Sequence, residues 1–445
     1  MILNFVGANS FARNNLFGRM NSPLQALCLS ALLVHAVPVF ATEDLHPELP
    51  PTEVVARLLR TSPMVTAADS LLKAEEANRA RLSAGPHEWT LRLARQQRDV
   101  RAPEVAQRFA EWDAGLERPI RLPGKAGTDE ALGAAGVDMA RISQGDALHE
   151  SSRLLMKTWF EWLRARETAR ETRLQAELLA RQEKGVQRRH QLGDAARLEA
   201  VQAEAASAQA EALAREAQAR EAAARMELQK RFPGLPLASA DMELPAPRPL
   251  DGTVESWLAA ILEHNHELGV ARAEARKATI SARRSDQESL PDPTIGVRVA
   301  RERGGEERLA ALTLSIALPG GARRATADMA LAQADAASAR EAAMLRKVEA
   351  EAASLVESAR LAHASWQGRE AAAERLGQAA DMTARAHALG EAGLAETLAA
   401  RRLGFDARLS ARLARLDALE LADRLLLDAH RLWPLDADED EHGHP

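Results

Sequence analysis

The sequence predicts a mainly α-helical chain with a small β part, built as a duplicated repeat of helix, β-hairpin and long helical hairpin. One motif occurs twice inside long Ala/Arg/Glu-rich runs, as His190-Gln191-Leu192-Gly193-Asp194-Ala195 and as His387-Ala388-Leu389-Gly390-Glu391-Ala392. A second pair, Leu122-Pro123-Gly124 and Leu318-Pro319-Gly320, precedes the two glycines at nearly the same distance, which marks a duplicated unit of a little under two hundred residues. Composition agrees: Ala, Arg, Glu and Leu dominate, tyrosine is absent and aromatics make up 3%, which favours long helices with thin, alanine-lined seams over a thick core.

Residues 1–41 read as a secretory signal. Arg13 and Arg19 precede an apolar stretch from Leu24 to Phe40, and Val39-Phe40-Ala41 before Thr42 is a small-residue cleavage site. Translation could begin at Met1 or Met20. Pro38 and the short apolar length argue against the alternative, an uncleaved membrane anchor. Cys28 is the only cysteine, and Gln25-Ala26-Leu27 before it lacks the small residue of a lipoprotein signal, so no lipidation is predicted. A mature chain without thiols suits an oxidising compartment. No other segment reads as a membrane-spanning helix, so passage through a bilayer would have to use strands. The net charge of -6 includes an acidic tail and gives no basic field for nucleic acid.

The first repeat, 42–232, opens with helical spacing from Thr52 to about Ala84, stopped by Gly85-Pro86. The period then changes to two in a hairpin at about 88–122, with Trp89, Leu91 and Leu93 on one side and a second strand from Phe109 to Leu122. Proline-rich residues 233–250 form the crossover. The second repeat, 251–433, begins with a helix from Trp257 to Glu288. Its hairpin, about 294–318, is cleaner: Ile295, Val297 and Val299 alternate with small or polar residues, as do Leu312, Leu314, Ile316 and Leu318.

The proline-free arms from about Thr128 to Arg189 and Arg323 to Ala388 predict helices near 90 Å long, at about 1.5 Å per residue. Each ends at a tip, 190–199 and 387–396. There glycine supplies a left-handed turn and the acid after it caps the return helix. The return arms carry coiled-coil spacing, Leu198, Val201, Ala205 and Ala208 in the first and Leu409, Leu413 and Leu416 in the second.

No catalytic or cofactor signature is present. Gly124-Lys125-Ala126 fails as a phosphate loop because Pro119 stands where its first glycine belongs and no Ser or Thr follows the lysine. His190 and His387 read as helix C-terminal residues suited to the dipole, and His264-Asn265-His266 as a helix-surface pair rather than metal ligands. The sequence assigns no metal site; His442 and His444 of the solvated tail, 434–445, are the residues that could hold a metal weakly.

Four strands cannot close a barrel, and an open sheet with one apolar face leaves edges unpaired. Either several chains pool their strands in lipid, or the chain is a soluble periplasmic coiled-coil scaffold whose hairpins pack on another protein. The duplicated order of helix, hairpin, Leu-Pro-Gly, long helix, tip glycine and return helix resembles the TolC-like outer-membrane efflux protein family over about Pro50 to Trp433. The resemblance implies a homotrimer in which a periplasmic α-helical barrel continues into a 12-stranded outer-membrane β-barrel, four strands per chain. Such a channel passively conducts solutes, metal cations or drugs, from an inner-membrane pump, RND type by expectation, through a periplasmic adaptor to the exterior. The tips Leu192, Gly193, Asp194, Arg197, Leu389, Gly390, Glu391 and Leu394 would meet the adaptor, Glu396 would form the periplasmic gate, and the ten apolar strand residues, Trp89 to Leu318, would face lipid. The family often has a second gate acid where this chain has Ala399. The histidines and the tail make the heavy-metal branch of the family a candidate.

Overall fold

The computed structural model of the chain describes residues 46–101, 106–238 and 242–433; the signal segment with Cys28 and the tail with His442 and His444 lie outside them. In chain order the elements are α1 (Thr52–Arg60), α2 (Pro63–Ala84), β1 (Thr90–Arg101), β2 (Ala106–Pro119), α3 (Lys125–Gln191), α4 (Arg197–Arg231), α5 (Val254–His264), α6 (His266–Gln287), β3 (Thr294–Glu302), β4 (Glu307–Ser315), α7 (Gly321–Ala388) and α8 (Leu394–Asp428). The fold is mainly helical with one small sheet, in the predicted order.

Each opening helix is two helices. Pro63 has no N–H to continue a helix and stands at the first position of α2, where Ser62 accepts from the Val65 amide at 3.3 Å. In the second half Asn265 breaks the run, its side chain accepting from the Leu268 amide at 2.7 Å to start α6. His264 and His266 therefore do not share a helix surface. Their rings gather about His430, His264 stacked on it with centroids 5.2 Å apart and His266 tilted at 5.0 Å, and His149 stacks on it at 5.4 Å.

The sheet is antiparallel throughout, in the order β1-β2-β3-β4. Its limits correct the expected strands. Thr294 pairs with both Pro119 and Ser315, and beyond that row Pro293 and Pro319 offer no N–H to a ladder. Trp89 thus lies just before β1, and Ile316 and Leu318 just after β4.

α3 and α7 run 67 and 68 residues, about 100 Å each at 1.5 Å per residue. α3 packs along α4, α7 along α8, and α3 also along α8. The predicted α4 seam is corrected: Leu198, Val201, Ala205 and Ala208 are exposed, and the buried stripe is Ala200, Ala203, Ser207, Ala210 and Ala217. Small side chains let the paired backbones approach closely, so the helix turns its narrow face to its own chain. In α8 Leu416 is buried, while Leu409 and Leu413 are only half-buried beside buried Ala411 and Ala414. α3 meets α8 through charge, with Arg153 and Asp428 2.9 Å apart, Arg408 and Glu171 2.8 Å apart, and Arg164 on Asp417 and Glu420.

One thick core exists despite the composition, near the middle of α3. Trp159, Phe160 and Leu163 pack there with Val55 and Leu59 of α1, Leu228 of α4, and Leu416 and Leu419 of α8. Leu235 and Leu244 of the crossover join them, so this proline-rich stretch is part of the core. A second cluster sets Trp257, Ile261 and Leu268 on Val348 and Val356 of α7 and Leu425 of α8. These cores fix the arms at mid-length and leave the sheet and the tips projecting from either end of the helices.

Candidate functional site

The strand register sorts the sheet into two chemically different faces. Leu91, Leu116, Val297 and Leu312 stand opposite one another across all four strands, Leu93, Ala114, Val299 and Ala310 form the next row, and Ile295 faces Leu314. The large apolar side chains of these rows are exposed, Leu312 to 84%. One row further toward the hairpin ends come Arg95, Trp112, Arg301 and Arg308. The other face carries cross-strand ion pairs: Arg92–Glu117 at 3.0 Å, Arg298–Asp113 at 3.1 Å, and Arg98 with Glu111 and Glu302 at 3.1 Å each. Alternation at period two, with every strand in register, separates oil from charge across the sheet's thickness.

At the base of the sheet the two halves are tied by Asp292. Its carboxylate accepts from Lys125 Nζ at 2.9 Å, the Leu122 amide at 3.0 Å and His87 Nε2 at 2.9 Å. Arg121 Nε donates to His87 Nδ1 at 3.5 Å, which leaves the ring proton on Nε2 for Asp292. Lys125 is buried and also donates to Leu290 O at 2.7 Å. Burial opposes ionisation of Asp292, but these three donors outweigh it and hold the carboxyl down to about 2. A depressed carboxyl stabilises the fold above its unfolded value, so this contribution is full above about pH 4 and is lost as pH falls toward 2. Asp292→Asn is expected to cost about 3 kcal/mol at pH 7, because Lys125 loses its nearest counter-ion and the buried charge is left with only the more exposed Glu288, 3.5 Å away. The same variant should lose less stability than the wild type between pH 4 and 2, read by heat denaturation of detergent-solubilised protein.

At the opposite end of the helices the tips are two copies of one turn. Gly193 and Gly390 take φ of 85° and 79°, and their amides donate to His190 O and His387 O at 3.0 Å. The Asp194 and Glu391 amides reach back to Arg189 O and Ala386 O at 2.8 Å, closing a Schellman turn. Neither acid caps the following helix, since no side chain caps α4 or α8; the acids of the two first turns are Glu199 and Glu396. The repeated histidines clasp the turn instead: His190 Nδ1 pairs with Ala195 O and His387 Nδ1 with Ala392 O, both at 2.9 Å. The spacing of the motif shows the repeat but not this side-chain bond.

The two tips of the chain touch. Arg189 Nη1 lies 3.4 Å from His387 Nε2, and Leu394 packs on Val186 and Ala203. Leu394, at 1% exposure, is therefore a packing residue between the tips and not a contact surface, because the turn folds it inward while its counterpart Arg197 stays outside. Leu192, Gly193, Asp194, Arg197, Leu389, Gly390 and Glu391 are exposed, as is Glu396.

Among the described residues no helix is long and apolar enough to cross a membrane. His46, Glu48 and Asp423 form the one group of described residues that brings three metal-ligating atoms within 4.8 Å of one another. Hydrogen bonds to Asp423 and then Glu48 raise the His46 imidazole up to about 9, and burial pushes the Asp423 carboxyl upward. Sequence reading missed this group because Asp423 is remote from the other two in the chain, and Asp292 because it looked only like a helix stop.

A two-faced four-stranded sheet continues into paired helical hairpins with twin tips, the order of elements the sequence predicted. Among solved structures, the chain is similar to the CmeC outer membrane channel of Campylobacter jejuni, with a TM-score of 0.73 and 13% identity over 88% of this chain and 87% of that one. It is also similar to the outer membrane protein VceC of Vibrio cholerae (0.69, 17%, 86% and 99%) and to the MtrE outer membrane channel of Neisseria gonorrhoeae (0.54, 16%, 86% and 89%). No protein-family model matches the chain, and no curated protein matches its sequence.

Proposed function

We propose that the chain is the outer-membrane channel of a tripartite efflux system. Three copies pool their strands into a 12-stranded barrel, and their helices continue it as a periplasmic tube. The observation that carries this reading is the exposed apolar face of the sheet, backed by a face of paired charges. Burying a large apolar side chain is worth about 1.5–3 kcal/mol, so several rows of them left in water would cost as much as a domain's entire stability. Lipid covers that face without a further protein, and the charged face then lines an aqueous lumen. Closure of three sheets removes the free edges of β1 and β4. The row of Arg95, Trp112, Arg301 and Arg308 has the composition of a headgroup boundary, which sets the outer limit of the apolar band. A soluble scaffold would need another element over the apolar rows, and no described element packs there.

In this reading the exposed tip residues meet a periplasmic adaptor, which couples the tube to an inner-membrane pump of the RND type, and the pump selects the solute. Reconstitution in a planar bilayer is the test: discrete conductance steps support the channel, and a silent bilayer with protein present refutes it. Deleting the gene and comparing sensitivity to cobalt, zinc, cadmium and copper with sensitivity to dyes and detergents identifies the exported class.

Glu396 gives the gate its charge in this account. Three carboxylates around one axis attract cations and hold them in the narrowest path. Glu396→Gln is expected to raise single-channel conductance and lower the preference for cations. Unchanged values for both would remove Glu396 from the constriction.

A further inference from the structure

Near the mid-length core, the segment ahead of α1 lays His46 and Glu48 against Asp423 of α8. His46 Nδ1 stands 3.3 Å from Glu48 Oε1 and 3.1 Å from Asp423 Oδ1. Glu48 is 3% exposed and Asp423 2%, and each keeps a second buried oxygen, Oε2 and Oδ2, that has no hydrogen-bond partner. A protein does not bury two carboxylates with free oxygens unless something satisfies them. A divalent cation held between the imidazole nitrogen and the two carboxylates would satisfy them.

We propose that His46, Glu48 and Asp423 form a divalent-metal site, taking zinc or a similar first-row cation, that fastens the segment ahead of α1 to α8. Geometry agrees with the donors. Zinc–nitrogen and zinc–oxygen bonds of about 2.0–2.2 Å place tetrahedral ligand atoms about 3.3 Å apart, and the observed separations from His46 Nδ1 are 3.3 and 3.1 Å. One imidazole and two carboxylates suit zinc, cobalt or nickel better than calcium, which wants more oxygens, or copper(I), which wants sulfur. The site is preorganised on both sides. Asp423 sits on a long helix, while the Leu49 amide bonds His46 O at 3.0 Å and Trp159 Nε1 donates to Glu48 O at 2.9 Å. The cation would lie between the imidazole and the two acids, and the remaining position goes to water.

The inference is independent of the channel reading, since it concerns how this chain holds its own segment. The test uses the full detergent-solubilised protein, stripped with a chelator and dialysed against Zn²⁺. One zinc per chain is expected, with zinc-edge X-ray absorption showing only nitrogen and oxygen neighbours at about 2.0–2.2 Å. The isosteric Asp423→Asn should weaken binding at least about tenfold, and His46→Ala combined with Glu48→Gln and Asp423→Asn should abolish it. His442→Ala with His444→Ala should leave stoichiometry at one. No zinc on the wild-type protein overturns the proposal. So does binding that survives the triple change, or binding lost with the tail histidines alone.

Discussion

Leu312→Arg is expected to keep the chain out of the outer membrane. Leu312 is 84% exposed in one chain, so on a water-facing surface the change would alter stability by no more than about 0.5 kcal/mol. On the lipid face of a barrel an arginine near the midplane costs about 2–4 kcal/mol, and three copies in a trimer bring that to about 6–12 kcal/mol. Thr313→Arg lies one residue further on the charged face and is expected to insert normally. Immunoblots of outer-membrane fractions with heat-modifiable trimer bands report both. Equal insertion of the two variants would mean that the sheet's apolar face does not meet lipid.

Gly390→Pro is expected to abolish export while leaving trimers intact. Proline fixes φ near −65°, whereas Gly390 sits at +79° and donates its amide to His387 O. The second tip must therefore re-form, displacing the exposed Leu389 and Glu391. The cores that hold the chain together are about half an arm away and should not feel it. Gly390→Asn, which tolerates a left-handed turn, should retain most export. Loss of the trimer with Gly390→Pro would make the turn a structural element and not a docking surface.

Much of this was legible in sequence because its causes are local. Glycine in His-x-Leu-Gly-acid-Ala dictates the turn, and alternation through Ile295, Val297 and Val299 dictates a two-faced strand. The absence of proline from residue 124 to 232 leaves the arms free to run. What escaped depended on partners far along the chain. Asp292 reads as a helix stop until the fold brings Lys125 and His87 to it. The α4 seam was misplaced onto Leu198 and Val201 because spacing identifies an apolar stripe but not which neighbour covers it. Alanine proved the better contact for a partner in the same chain, and Leu198 and Val201 stay exposed beside it. Leu394 shows the same limit at the tip, where only the fold reveals which member of a repeated pair turns inward.

Light scattering on the protein extracted in mild detergent, with detergent mass subtracted, weighs the pooled-strand account directly. It predicts three polypeptides in every particle and a fall to one on boiling. A single polypeptide that stays monodisperse without detergent, with Leu312 and Val297 shielded from solvent probes, would contradict it.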